Sequence, residues 1–208
     1  MYQSSNEIQD EFVETIRVEQ GRAWNLEYHN ERMNRTRRAF WGNNVEELHL
    51  EDWLHPETYT ERTRCRVVYG RNICQVEYFP YQMRLVRNLK LVTCDEAQYV
   101  YKSTDRSQLN SLYDLRGEAD EILIVRNGRL TDTSIANIAL YDGKQWCTPT
   151  FPLLKGTQRA RLLHEGCIVE KDILVFDIGQ YQKIRLFNAM IPFGIIELDT
   201  VMIESLGK

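Results

Sequence analysis

The chain has 208 residues, 43% of them hydrophobic and 27% charged, which is the composition of an ordinary folded protein long enough to bury a core as one domain or two small ones. Its net charge of −4 gives no electrostatic case for a nucleic-acid partner. No apolar stretch approaches the length that spans a bilayer, and the opening MYQSSNEIQDEF lacks the basic-then-apolar order of a signal peptide.

From the N-terminal side, Phe12 to Val18 alternates as a strand with one buried face. A turn at Gln20-Gly21 and a short strand follow, and then charged and aromatic residues at helical spacing from His29 to Gly42. The runs Arg35 to Arg38 and Arg62 to Arg66 read as solvated helical faces rather than binding patches. His55-Pro56-Glu57 suits a second helix start, with Pro in the first turn. Cys65 to Tyr69 and Ile73 to Phe79 flank Gly70-Arg71-Asn72 as a hairpin, which Pro80 interrupts. The less regular stretch from Tyr81 to Leu89 is the expected crossover between two lobes. The expected domains are residues 1–82, a small α/β lobe, and residues 83–208, a larger lobe.

In the second part, Lys90 to Thr93 reads as a short strand, Gln98 to Tyr101 as strand-like, and Ser103 to Gly117 as a helix. The apolar run ILIV meets a turn at Asn127-Gly128. A second strand, IANIALYD, meets another turn at Asp142-Gly143. Thr157 to Glu165 reads as a helix stopped by Gly166, and Ile184 to Leu198 carries further strands. The cysteines, 5 in all, are Cys65, Cys74, Cys94, Cys147 and Cys167. They are odd in number and contain no C-x-x-C pair. That argues against a disulfide framework or a zinc site and fits a reducing cytoplasm, with most of them as small core residues.

Several blocks in order carry a resemblance. Asp120 to Arg161 reads DEILIVRNGRLTDTSIANIALYDGKQWCTPTFPLLKGTQRAR. Phe12 to Met33 contains FVETIR, then His29, Arg32 and Met33 in an H-x-x-R-M step. Tyr99 to Leu109 reads YVYKSTDRSQL, and Leu186 to Phe193 reads LFNAMIPF. Together they resemble the class IV aminotransferase-like family, which uses pyridoxal 5′-phosphate (PLP). The resemblance implies an α+β, two-lobed fold of the D-amino acid aminotransferase kind, with its site between the lobes. There are departures. The loop that family members usually carry before the Phe-Glu block is not expected here, since only a few residues precede that block in the sequence. The acid is Asp132 where Glu is usual. The family's L-P-G-I/V-T/M-R is Leu154-Lys155-Gly156-Thr157-Gln158-Arg159, and a frequent tyrosine is replaced by Arg106 or Ser107.

The resemblance implies a role for particular residues. Lys102 would carry the cofactor as its reactive amine, and Asp132 would sit at the pyridine nitrogen, directly or through a water. Arg32 and the backbone amides of Thr157 and Gln158 would hold the phosphate, with Gly156 letting the backbone approach the anion. Arg35, Arg37 and Arg38 keep open a surface role for Arg32. Asn188 and Ala189 would line the same pocket, and Asn137 reads equally as a structural hydrogen-bonding residue. The implied substrate is a small-molecule amine, and the implied assembly is a homodimer in the cytoplasm. The K-x-x-D-R spacing of Lys102, Asp105 and Arg106, with Asn188 to Pro192, is similar to the 4-amino-4-deoxychorismate lyase branch. An aminotransferase acting on branched-chain or D-amino acids is the alternative.

Overall fold

Phe12, Glu14, Ile16 and Val18 fall on one face of a strand, β1 (Phe12–Glu19), and all are buried in the computed structural model, which describes residues 11–204. The signal-peptide reading of the first ten residues lies outside the described residues. Gln20 and Gly21, with φ of 55° and 70°, turn the chain into β2 (Arg22–Ala23). α1 (Leu26–Trp41) begins at Leu26 rather than His29, and it ends where Gly42, at φ 88°, donates its N–H to the Arg38 carbonyl. Its inward stripe is His29, Arg32, Met33, Thr36 and Arg37, the spacing of one helical face. Only Met33 in that stripe is apolar, so composition alone reads the segment as solvated.

Two expectations about arginine runs are corrected here. Arg37 is buried, donating to the carbonyls of Arg71 and Glu46 and to Asn34 Oδ1. Backbone carbonyls take the place of water around its guanidinium. Arg62 to Arg66 is not helical, because it runs into β3 (Thr63–Tyr69), where Thr63, Cys65 and Val67 face inward and Arg64 outward. The proposed helix at Pro56 is one short 3-10 turn, Pro56–Thr58. β3 and β4 (Ile73–Pro80) form the expected hairpin. The first sheet has the order β2-β1-β3-β4, with α1 packed on it over Ile16, Met33, Leu50, Val67 and Tyr69.

Residues 81–88 form neither helix nor strand. The chain then runs through β5 (Leu89–Thr93), α2 (Ser107–Asp114), β6 (Glu121–Arg126), β7 (Arg129–Thr133), β8 (Asn137–Tyr141) and β9 (Trp146–Pro149). α3 (Thr157–His164), β10 (Val169–Lys171), β11 (Lys183–Phe187), β12 (Ile196–Asp199) and β13 (Ile203–Glu204) complete it. These strands make two mixed sheets, β10-β9-β8-β11-β12 and β13-β5-β6-β7. Leu123, Leu130, Ile138, Leu140, Ile184 and Leu186 belong to the core cluster they share.

The helix expected from Ser103 starts at Ser107 instead. Ser103 pairs with Phe12, and the Thr104 N–H goes to the Glu11 carbonyl, so this backbone is already committed to β1. Asp105 Oδ1 then accepts the Ser107 N–H and opens α2. Gln98 to Tyr101 is likewise irregular rather than strand. All of the cysteines are free, but only Cys65 and Cys147 are buried, which corrects the reading of most of them as core residues. Cys74 lies on the outer side of β4, and Cys167 follows the turn at Gly166. Among the described residues no helix is long and apolar enough to cross a membrane.

The β6–β7 hairpin turns on Asn127 and Gly128, whose φ values of 51° and 71° suit a type I′ turn. A side chain at Gly128 would meet nothing within 4 Å, so only backbone strain opposes it. Gly128→Ala is therefore expected to cost about 1–2 kcal/mol of stability in urea unfolding, with an unchanged m-value. A variant as stable as the parent would show that the turn relaxes out of the left-handed region.

Candidate active site

Residues from β1, α1, the segment before α2, the β7–β8 turn, the start of α3 and the turn after β11 line one cavity. Arg32, Lys102, Asp132, Gly156, Thr157, Asn188 and Ala189 are all in its lining. Gln158 is not. Its side-chain Oε1 accepts from Asn25 Nδ2 at 3.2 Å and from Arg161 Nε at 3.4 Å, outside the cavity. Only its backbone N–H, in the first turn of α3, remains a candidate anion contact.

Lys102 is positioned by main chain rather than by a helix. Its carbonyl accepts the Val13 N–H at 2.8 Å, and Ser103 and Thr104 continue the pairing with β1. The side chain is half-buried and lines the cavity. Burial, helped by the positive charge of Arg32 and opposed by Glu14, pushes its ammonium down to about 7.

A buried charge cluster stands beside it. Glu14 is fully buried and accepts Arg32 Nε at 2.9 Å and Arg32 Nη2 at 2.5 Å. His29 Nδ1 lies 2.5 Å from the same carboxylate. Burial alone would raise the Glu14 carboxyl, but Arg32 and His29 outweigh it and hold it at about 2. Burial pulls His29 the other way, down toward the neutral imidazole, against its hydrogen bond to Glu14. A neutral ring with its Nδ1–H on Glu14 leaves Nε2 as the acceptor for the Thr157 hydroxyl, 3.4 Å away. Strand β1 and helix α1 thus meet at one carboxylate, and His29 links it to the start of α3.

On the other side Asp132 is buried, with both oxygens engaged. Oδ1 accepts Asn137 Nδ2 at 2.8 Å, and Oδ2 accepts the Leu154 N–H at 2.9 Å. Burial raises its carboxyl to about 6 in spite of these donors. Asn137 also donates to the Leu154 carbonyl at 2.8 Å and packs so closely that a Cβ on Gly156 would lie 2.1 Å from its Oδ1. This close approach, rather than φ, requires glycine at 156. Asn188 builds the neighbouring turn, donating to the Ile135 carbonyl and accepting from Met190 and Ile191.

Sequence reasoning passed over Glu14 and Tyr99, named Arg106 only as part of the K-x-x-D-R spacing without a site role, and left Asn137 open. Glu14 did give a signal: it is the one charged residue on the apolar face of Phe12, Ile16 and Val18. Arg106 lines the cavity and donates from Nη2 to the Ser134 carbonyl at 2.8 Å, beside the ring of Tyr99. The K-x-x-D-R spacing marks its place in the motif, but its position in the cavity is set by Ser134 and Tyr99 rather than by its local sequence.

The fold is the α+β class IV fold, and the family model for amino-transferase class IV matches residues 11–197, so the chain belongs to that family. An uncharacterised protein of Haemophilus influenzae is 39% identical over 180 residues, covering 85% of this chain and 96% of its own. A Haemophilus somnus structure proposed to be a 4-amino-4-deoxychorismate lyase superposes with a TM-score of 0.80 at 37% identity, covering 92% of this chain and 98% of its own. A hypothetical aminotransferase from Mycobacterium tuberculosis, in its PLP-bound form, shares the fold with a TM-score of 0.70 at 17% identity. That comparison covers 88% of this chain and 79% of the other.

Two predictions follow from this geometry. Gly156→Ala is expected to displace Asn137 from Asp132 and to cost about 1–3 kcal/mol as overpacking. Adding Asn137→Ala removes the clash, so the cost of Gly156→Ala should shrink in that background; strictly additive losses in denaturant unfolding would contradict this. The second concerns pH. Folding lowers the Lys102 amine from its ordinary 10.5 to about 7. The folded state therefore carries the full burial penalty below pH 7 and loses it as pH rises toward 10.5. Lys102→Met in ligand-free protein should raise Tm more at pH 6 than at pH 10. An equal rise at both would show that the lysine is not perturbed.

Proposed function

We propose that this cavity holds PLP and that the chain is a 4-amino-4-deoxychorismate lyase, releasing 4-aminobenzoate and pyruvate. The observation that carries the reading is one cavity lined by a lysine held near neutrality, a buried carboxyl and an arginine beside a helix start. Each matches a need of the cofactor. Lys102 offers an amine with a substantial neutral fraction at pH 7. Arg32 spends Nε and Nη2 on Glu14, and its Nη1 is left for an anion next to Thr157 and the first N–H groups of α3. Asp132 can face a cationic ring nitrogen, which would draw its carboxyl back toward the ionised form.

When bound, PLP supplies the electron sink for a carbanion next to the substrate nitrogen. Lys102 Nζ takes the proton from the carbon that bears the amine, which a mostly protonated lysine could not do. Asp132 keeps a fixed negative charge at the far side, held by Asn137 and Leu154. Breaking the C–O bond at the neighbouring carbon releases enolpyruvate with the electron pair. Lys102 holds a proton that can return to the leaving group to give pyruvate.

The lyase is preferred over an aminotransferase because of the Lys102-Asp105-Arg106 spacing and the Asn188 to Pro192 turn. The 37% identity to the Haemophilus somnus protein supports the same branch. The expected result is 4-aminobenzoate and pyruvate from aminodeoxychorismate with no keto-acid acceptor present. Borohydride should fix PLP to the wild type but not to Lys102→Ala, whose turnover should fall by on the order of 10²–10⁴-fold. Amino transfer from L- or D-amino acids to 2-oxoglutarate or pyruvate, without any 4-aminobenzoate formed, would replace the lyase by the aminotransferase.

A further inference from the structure

The cavity holds one cation that the cofactor does not account for. Arg32 is matched by Glu14, and Lys102 is the reactive amine. Arg106 lines the same cavity, yet among the described residues no carboxylate forms an ion pair with it. The neighbouring Asp105 is exposed, forms no ion pair with it and accepts the Ser107 N–H at Oδ1. Arg106 is nonetheless held in place: Nη2 donates to the Ser134 carbonyl at 2.8 Å, its guanidinium lies 5.8 Å from the centre of the Tyr99 ring, and α2 begins at the next residue. Tyr99 is itself fixed by its hydroxyl, which donates to the Ser103 carbonyl at 2.7 Å. A partly buried guanidinium with a fixed orientation, spare donors and no counter-ion among the described residues is suited to an anion brought by the ligand.

We propose that Arg106 binds a carboxylate of the substrate and so selects amines that carry one. The inference rests on the lyase reading of the cavity and names the group that recognises its acid. The rival anion is the cofactor phosphate. Among the described residues no hydrogen bond joins Arg106 to α3, whereas Arg32 shares the Glu14 carboxylate with His29, and His29 reaches Thr157 at the start of α3. The carboxylate is therefore assigned to Arg106, and the phosphate is left to Arg32 and α3.

The test uses PLP-loaded wild type, Arg106→Gln and Arg106→Lys, with 4-aminobenzoate and its neutral counterpart 4-aminobenzamide titrated by calorimetry. Wild type is expected to prefer the acid. Arg106→Gln should weaken binding of the acid by on the order of tenfold or more and leave the amide unchanged. Arg106→Lys, which keeps the charge but not the fork, should retain part of the preference. PLP affinity, read by absorbance titration, should be the same in all three. Equal loss of both ligands, loss of neither, a wild type without preference, or a loss of PLP affinity in place of acid affinity would each overturn the assignment. The lyase reading is scored apart, by whether wild type makes 4-aminobenzoate from aminodeoxychorismate.

Discussion

The carboxylate of Glu14 is the interaction on which the rest of the site depends. It is a fully buried charge on an otherwise apolar strand face. Left alone it would be untenable there, since burial costs a lone carboxylate several kcal/mol or more. Arg32 and His29 compensate it, and both come from the inward stripe of α1. Satisfying one carboxylate therefore fixes the rotation of α1 on the first sheet. It also leaves part of the Arg32 guanidinium facing the cavity and orients His29 toward Thr157. The adjacent Val13 N–H holds the Lys102 carbonyl, so one short stretch of β1 positions the arginine, the lysine and, through His29, the start of α3.

Burial acts on the cavity's acid and base in opposite senses. It lowers Lys102 to about 7 and raises Asp132 to about 6, so both titrate close to neutral pH. Glu14 escapes, at about 2, because two partners contact it directly. The contrast between two buried carboxyls is a matter of partners: Glu14 has a guanidinium in direct contact, whereas Asp132 is held by an amide and backbone N–H groups and feels Arg159 only at a distance. A carboxyl with no cation in direct contact among the described residues is one that a cationic ligand can still stabilise. Groups so perturbed, collected in one cleft, make it the candidate functional site on physical grounds, independently of any resemblance.

The strands and the hairpin at Asn127-Gly128 were legible in the sequence because their signals are local: alternation, apolar runs and turn residues. The spacing of Lys102, Asp132 and Gly156 was legible only through family resemblance, since nothing in a lone lysine or aspartate announces a cavity. What stayed hidden depends on contacts distant in sequence. α2 starts late because Ser103 and Thr104 pair with β1, which lies some ninety residues away. Arg37 is buried by carbonyls of segments that follow it in the chain. Arg106 is distinguished by the Ser134 carbonyl and the Tyr99 ring, neither of which its immediate neighbours predict. Glu14 was within reach, since a charge on a buried strand face demands a partner and the nearby His29 and Arg32 could supply one.

The far wall of the cavity shows how little of its geometry is free to drift. Asn137 opens β8, opposite Phe187 of β11, so sheet register sets its place. Its amide donates both to Asp132 and to the Leu154 carbonyl, and its Oδ1 packs against Gly156. The Leu154 N–H in turn holds the other oxygen of Asp132. The acid and the start of α3 are therefore one unit: moving the helix start would pull on the carboxyl through Leu154 and Asn137. Asn188 ties the turn after β11 to Ile135 in the same way. An acid shorter by one methylene than the family's usual Glu can serve in such a wall, because its position is set by the backbone of 154 and the amide of 137 rather than by the reach of its own side chain.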